Sequence, residues 1–205
     1  MTDLGKLRAA IAARPPRASR LSLQGRIQAA VCVPIHDGPR GLEVWAIKRV
    51  DRLRHHAREI AFPGGKPDPG DRDLADTAFR ETEEELGISR ERLHLLGSLA
   101  PVPTATSRFT LNPFVALIEA GAEAKPSASE VAALIRMPLS DFFAGQVPYR
   151  AIELGSGWRS PIFDFEVGSM YGASAHVLEE LLLVYASIKE LAFPEPTLTD
   201  EIPWQ

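Results

Sequence analysis

The sequence predicts an α+β fold. Three observations carry that expectation. Valine-rich runs of strand length recur, helical periodicity surfaces at a few separated places, and the two do not alternate in a regular βαβ rhythm. The 205 residues suffice for one core plus an added helix or loop. An apolar fraction of 45% and a charged fraction of 24% are ordinary globular values, which exclude a mainly disordered chain, a collagen-like fibre and a coiled-coil rod. The formal charge of −4, from 23 basic and 27 acidic residues, does not suit a general nucleic-acid binder. No apolar run approaches the roughly 18 residues of a membrane span, so neither nucleic acid nor membrane is expected as a partner. The N-terminus lacks the basic start and apolar block of a secretory signal, and a cytoplasmic location is expected.

Residues 3–13 read as a short helix with Asp3 as N-cap, ended by Pro15 and Pro16. With the basic connector that follows, this makes an N-terminal segment 1–25 ahead of a core domain 26–193 and an irregular tail 194–205. Gln28–Ile35 reads as a buried strand, and its Cys32, the one cysteine, as a small core residue rather than a reactive thiol. The run from His36 to Gly41 is turn chemistry, and a second strand over Leu42–Val50 completes a hairpin. Residues 51–72 form a long loop with a short strand near Ile60–Phe62; such loops often carry function. A helix over 73–86 stops at Gly87. Strands are expected over Leu93–Leu99 and Phe109–Ile118, then an apolar segment Ser129–Arg136 and a helical turn at Pro138–Phe143. Residues 147–165 suggest another hairpin, turned at Gly155-Ser156-Gly157. Ala173–Leu191 is the clearest helix, with Val177, Leu178, Leu181, Leu182, Tyr185, Ile188 and Leu191 on one face.

The sharpest feature is the run Arg80-Glu81-Thr82-Glu83-Glu84-Glu85-Leu86-Gly87. At about 100° per residue, Glu81, Glu84 and Glu85 share one arc while Glu83 points away. The arc borders an apolar stripe of Leu74, Ala75, Ala78, Phe79, Thr82 and Leu86. Like charges this close raise one another's pKa, and the negative end of the helix dipole opposes them. A bare acidic run is usually a solvated helix face. A cation that neutralises the carboxylates is the alternative, and hard oxygen donors suit Mg²⁺ or Mn²⁺.

Phe62-Pro63-Gly64-Gly65 and the loop Lys66–Asp71 lead into this helix. The glycines permit positive φ and close approach of a ligand to the backbone. Gly65, Arg80, Glu81, Glu84, Glu85, Gly87 and Ile88 together resemble the Nudix signature, G-x5-E-x7-R-E-U-x-E-E-x-G-U with U a bulky apolar residue. Asp71 stands where the first glutamate is expected, one residue further from Arg80, and Thr82 replaces an apolar residue. Upstream, the stretch from Leu53 to Gly65 resembles the element L-R-x-H-x-G-E-x-x-F-P-G-G of the coenzyme A pyrophosphatase branch. Arg49, Asn112–Val115, Glu130-Val131 and Tyr171–Ala175 also look like that branch, and the resemblance spans about residues 25–190. Arg58 and Arg108 stand where that branch often has glycine, each adding a cation near the substrate site.

The resemblance implies an α/β/α sandwich around a mixed sheet and a metal-dependent hydrolase. Glu81, Glu84 and Glu85 would hold the metal, with the Gly64 carbonyl, and Arg80 would orient a helical glutamate, Glu84 being its i+4 neighbour. Glu119 and Glu130 are outside candidates for the general base. Lys48, Arg49, Arg52, Arg54 and Arg58 are five cations in eleven residues, with His55 and His56 among them. Guanidinium groups pair bidentately with phosphate. Arg49, Arg54, His56, Arg58 and Gly65 are therefore the candidate substrate-binding residues, against the alternative of a solubilising basic loop. The implied substrate is a small-molecule nucleotide: coenzyme A or an acyl derivative, cleaved to 3′,5′-ADP and phosphopantetheine or its acyl form. ADP-ribose or a dinucleotide is the second expectation, and a non-catalytic nucleotide sensor a third. The resemblance also allows a homodimer.

Overall fold

The backbone carbonyls and amides of the valine-rich strand have two neighbours to pair with, and this sets the architecture. The computed structural model describes residues 1–14, 25–50, 59–105, 107–155 and 157–203. The first half comprises α1 (Asp3–Ala12), β1 (Ile27–Gly38), β2 (Gly41–Arg49), β3 (Ile60–Ala61), β4 (Gly64–Gly65) and α2 (Leu74–Leu86). A single 3₁₀ turn (Arg90–Arg92) precedes β5 (Leu93–Ser98), β6 (Val102–Pro103), β7 (Phe109–Ile118), β8 (Val131–Pro138) and α3 (Leu139–Phe143). The rest is β9 (Tyr149–Leu154), β10 (Trp158–Phe165), β11 (Gly168–Met170), α4 (Gly172–Lys189) and β12 (Thr197–Leu198).

The main sheet runs β3-β2-β1-β7-β5, with β8 on β2, β4 on β1 and β6 on β7. β1 and β7 are parallel at its centre and the other pairs are antiparallel, so the sheet is mixed. Both faces are covered. Ala30, Cys32, Trp45, Ile47 and Ala116 pack toward α2, through Ala78 and Leu86. Val31, Val33, Val44 and Val115 pack toward α1 and α4, through Leu7, Ile11, Leu178 and Leu181. This two-sided burial explains why β1 reads as an unbroken apolar run rather than an alternating one.

Several elements differ from the sequence reading. Thr2, not Asp3, caps α1: its hydroxyl accepts from the Gly5 N–H at 3.2 Å. The β1–β2 turn is only Pro39-Arg40, because His36 and Asp37 stay paired with Glu43 and Leu42. β4, β6 and β11 escape periodicity because two or three residues carry none. A second sheet, β11-β10-β9-β12, packs behind α4. Its edge strand Thr197–Leu198 pairs in parallel with Arg150 and Ala151, so the tail is not irregular throughout. Leu191 falls beyond the end of α4 and is 43% exposed, outside the apolar face that Val177 to Tyr185 form.

Gly87 ends α2 in the left-handed conformation at φ +66°, donating its N–H to the Glu83 carbonyl at 2.9 Å. The amides of Lys125 and Ser127 then reach the otherwise unpaired Leu86 and Glu85 carbonyls at 2.7 and 2.9 Å. A Cβ on Gly87 would lie 2.7 Å from the Lys125 carbonyl oxygen. Gly87→Ala is expected to cost about 1–3 kcal/mol, from the left-handed backbone and that overlap. Gly70→Ala, in open space at ordinary φ, is expected to stay within about 0.5 kcal/mol of the parent. Denaturant midpoints of the two variants check the difference.

Candidate active site

Two glycines without side chains let α2 sit against the sheet. β4 pairs with β1 through Gly64↔Val31 and Gly65↔Ala30. A Cβ on Gly64 would run into the Ala30 carbonyl and lie 2.7 Å from the Val31 Cα; one on Gly65 would run into the Glu81 carboxylate. Neither glycine has positive φ among the left-handed glycines of the chain, so close approach alone accounts for them. The Gly64 N–H donates to Glu85 Oε2 at 3.1 Å, tying strand to helix.

The three glutamates of the arc do not share one environment. Side-chain exposure is 1% for Glu85, 17% for Glu81 and 55% for Glu84. The buried residues of α2 are Asp76, Thr77, Ala78, Thr82, Glu85 and Leu86, so Glu85 lies inside the core rather than at its boundary. Glu83 does point away, accepting from Arg90 Nε at 3.0 Å. Thr82 is tolerated in the stripe because its hydroxyl is satisfied by the Ala78 carbonyl at 2.7 Å. It also meets the Cys32 thiol, whose burial pushes its pKa up to about 12. Cys32 is thus an inert core thiol.

Arg80 holds the surface of the site together. Its Nη1 donates to Glu81 Oε1 at 2.9 Å and to Glu84 Oε2 at 3.2 Å, the latter the expected i+4 contact. Its Nε and Nη2 clasp Asp71 at 3.0 and 3.2 Å, and Nη2 also reaches the Lys66 carbonyl at 3.0 Å. Asp71, at the position of the signature's first acid, therefore faces Arg80. It accepts from the Thr77 hydroxyl as well, and these partners hold its carboxyl well below the usual carboxylate range.

Arg49, the last residue of β2, reaches Glu85 Oε1 with its Nη1 at 2.8 Å. A register shift between Lys48 and Arg49 in the β2–β8 ladder accompanies this turn toward α2. Burial dominates the Glu85 carboxyl all the same and pushes its pKa up to about 7, against the pull of Arg49 and the Gly64 N–H. Burial likewise raises Glu81. The like charge of Glu130 adds to both. Glu130 stands beside the site through its carbonyl, which takes the Val50 N–H at 3.0 Å. Glu119 does not: it pairs with Arg92 and His94 at 3.3 and 3.5 Å.

The structure thus brings together Arg49, Gly64, Gly65, Arg80, Glu81, Glu84 and Glu85. The candidates Arg54, His56 and Arg58 lie outside the described residues. Among the described residues no three acidic, histidine or cysteine side chains converge on one point. Arg80 and Arg49 instead draw the carboxylates apart, Glu81 and Glu84 outward and Glu85 inward. The chemistry of the donor set still fits a divalent cation: hard carboxylate oxygens, two of them disfavoured as anions where they stand. The sequence reading passed over Lys66, whose place directly after Gly65 was the available signal. It also passed over Arg26, whose partners are all distant in sequence.

The Arg80–Asp71 clasp has a testable pH signature. A carboxyl held below its ordinary value contributes stability that is fully present above 3.8 and is lost as the pH falls toward the folded-state value. Asp71→Asn is expected to lower stability by about 1.5–3 kcal/mol at neutral pH, the scale of a charged hydrogen bond. That gap should narrow below about pH 3.8, as the parent carboxyl also protonates. Urea denaturation of both proteins across the acid range reads it.

The comparisons with known proteins bear on the family and the fold. The NUDIX domain family model matches residues 26–153. An uncharacterized Nudix hydrolase NudL of Yersinia pestis (strain Pestoides F) is 41% identical over 114 residues, and the same figures hold for its namesake in Yersinia pseudotuberculosis serotype O:3 (strain YPIII). The aligned stretch is 56% of this chain and 56% of each relative, so the chain spans about half the length of the curated relatives it matches. A Nudix hydrolase structure from Alicyclobacillus acidocaldarius superposes with a TM-score of 0.52 at 18% identity, covering 85% of this chain and all of that one. A MutT/nudix family protein from Enterococcus faecalis gives 0.51 at 13% identity, covering 91% and 69%. At such identities the structures speak to the fold, which is the same mixed α+β arrangement. With the family match extending over more than half its length, from Arg26 to Glu153, this chain belongs to the Nudix family.

Proposed function

We propose that the chain is a divalent-cation-dependent hydrolase that cleaves the diphosphate of a nucleoside diphosphate derivative, with coenzyme A or acyl-coenzyme A as the substrate. One observation carries the reading. Glu81, Glu84 and Glu85 are stationed against a two-glycine strand on one side and two arginines on the other, with Glu85 buried at a cost that a bound cation would offset. Glu81, Glu84 and Glu85 would hold Mg²⁺ or Mn²⁺, with the Gly64 carbonyl beside them. Such a cation, when bound, neutralises phosphate charge and lowers the pKa of water. Water adds to one phosphorus, the bridging P–O bond breaks, and the departing phosphate keeps the bridging oxygen.

This chain's own residues set the stage for that displacement. Arg80 fixes Glu81 and Glu84 on the outer face, and Arg49 with the Gly64 N–H fixes both oxygens of Glu85. Asp71 keeps Arg80 from turning to the substrate as a free cation. The basic stretch Arg52, Arg54 and Arg58, with His56, supplies cations for the phosphates in a chain of net charge −4. The coenzyme A preference rests on the resemblance of residues 53–65 to the branch element.

A panel of coenzyme A, a long-chain acyl-coenzyme A, ADP-ribose and a dinucleotide, assayed with Mg²⁺ and with Mn²⁺ and read by product mass, tests the reading. 3′,5′-ADP and phosphopantetheine are the expected products. Release of AMP from ADP-ribose as the fastest reaction would move the chain to the second substrate class, and no turnover on any of them would leave the sensor reading. Glu85→Gln keeps the size and removes the charge, so kcat is expected to fall by orders of magnitude while the fold survives.

A second test does not depend on turnover. Since the Glu85 carboxyl is raised from 4.5 to about 7, its ionisation in the fold costs stability as the pH rises through that window. A bound cation offsets the cost, and below the window a proton competes with it. Mg²⁺ is therefore expected to raise Tm more at about pH 8 than at about pH 5.5, and Glu85→Gln to flatten that dependence. An equal Tm shift at both values counts against a cation at Glu85.

A further inference from the structure

We infer that Arg49 is an exchangeable counter-ion: it neutralises Glu85 until a divalent cation takes that carboxylate, and the displaced guanidinium then turns to the phosphates of the substrate. The inference rests on the proposed cation site and adds a regulation to it, in which the cation promotes phosphate binding by releasing an arginine.

Glu85 is 1% exposed and has both oxygens taken, Oε1 by Arg49 Nη1 at 2.8 Å and Oε2 by the Gly64 N–H at 3.1 Å. A cation that uses this carboxylate has two approaches. At Oε2 it meets a backbone amide, kept in place by the pairing of Gly64 and Gly65 with Val31 and Ala30. At Oε1 it meets only the end of a side chain. A guanidinium and a divalent cation on one buried oxygen repel each other where little water screens them. Arg49 is therefore the group that gives way.

The two arginines of the site differ in what they would lose. Arg80 keeps Asp71 at 3.0 and 3.2 Å and the Lys66 carbonyl at 3.0 Å, whatever becomes of its glutamates. Arg49 has no second anchor. Among the described residues its side chain makes one hydrogen bond, the one to Glu85. Its Nε is buried without a partner, which costs free energy and leaves the guanidinium only partly used. Its backbone is fixed all the same: the Arg49 N–H donates to the Glu59 carbonyl and the Val50 N–H to that of Glu130, both at 3.0 Å. The side chain thus swings from a fixed point and keeps its charge beside the acids. At 22% exposed it has an open side to turn to.

Charge gives the same direction. When ionised, Glu81, Glu84, Glu85 and Asp71 outnumber Arg49 and Arg80, so without a further cation both arginines are spent and an approaching phosphate is repelled. A divalent cation supplies the missing charge and frees one guanidinium for phosphate, the anion whose geometry it fits.

Two measurements on the full chain test this without turnover. The first follows hydrogen exchange at the Arg49 Nε–H by NMR, the resonance being the one lost in Arg49→Lys. The Gly64 amide, bonded to Glu85, reports the cation. Saturating Mg²⁺ is expected to shift the Gly64 resonance and to speed Arg49 Nε–H exchange roughly tenfold or more as the buried nitrogen opens, while the Arg80 Nε–H stays protected. A shifted Gly64 with unchanged Arg49 exchange overturns the inference and leaves the cation site standing. No response at Gly64 removes the cation from Glu85, and the inference with it. The second is calorimetric binding of 5′-AMP to the parent and to Arg49→Gln. Without Mg²⁺ the two should agree within about twofold, because Glu85 holds the parent's arginine; with Mg²⁺ the variant should bind roughly tenfold more weakly, the worth of one charged contact. The same loss with and without Mg²⁺, or no loss in either, overturns the inference. Exchange is measured on the parent, so it decides even where Arg49→Gln does not fold.

Discussion

The Arg80 guanidinium, 11% exposed, donates at once to Asp71, Glu81, Glu84 and the Lys66 carbonyl. Its partners push its own pKa further up, so it is a permanent cation at the place where α2 gathers negative charge. Remove that charge and Glu81, Glu84 and Asp71 repel across a few ångströms beside the negative end of a helix dipole. The loop Lys66–Asp71 would lose most of its tether to the helix as well, keeping only the bond from the Thr77 hydroxyl to Asp71. The single residue thus joins the loop that follows the glycine strand to the helix that carries the acids. Asp71 matters here more than the signature position suggests: it supplies two oxygens side-on to the guanidinium, a geometry that a neutral side chain cannot match.

How much of this could be read from the sequence depended on whether the signal was local. α2 and its stop at Gly87 were legible because the periodicity and the glycine that ends it are local. Asp73, which the sequence reading placed within the helix, caps it instead, accepting from the Asp76 N–H. β7 was legible to its ends, since burial on both faces leaves a long apolar run. The arc of Glu81, Glu84 and Glu85 was legible as an arc. Its division into one buried, one half-covered and one open carboxylate was not. That division comes from β4 and from Arg49, 36 residues upstream of Glu85 and turned inward by a ladder irregularity. No periodicity announces a two-residue strand or the inward turn of an arginine. The same reason hid the second sheet, whose edge strand β12 pairs with β9 across more than forty residues.

The burial gradient along one turn of α2 has a physical origin in the mixed sheet. The parallel β1–β7 pair forces the connection between them to cross one face, and α2 is that crossing element. A crossing helix must bury its inner residues, yet an antiparallel β4 on β1 narrows the space beside it, so glycine is the only residue type that leaves room at positions 64 and 65. Glu85 then lands where its oxygens have a backbone N–H and an arginine within reach and little else. The site is a consequence of topology first and of side-chain choice second.

That ordering bears on the arginine at position 108. The backbone around it is fixed by Arg26, whose guanidinium is spent on the carbonyls of residues 104, 107 and 109 rather than on any anion. A glycine at 108 would leave this framework intact, because none of those bonds uses the side chain of residue 108. The framework and its cargo are therefore separable. The topology supplies a fixed backbone at residues 104, 107 and 109, and the side chain carried at 108 is independent of it. A cation there changes the long-range potential by one charge and costs the fold nothing, since the side chain is exposed and its neighbours are unaltered. The same reasoning fails for Arg49 and Arg80, whose guanidinium groups are built into the positions of the acids. Among the described residues, Arg108 is a cation whose replacement the architecture permits.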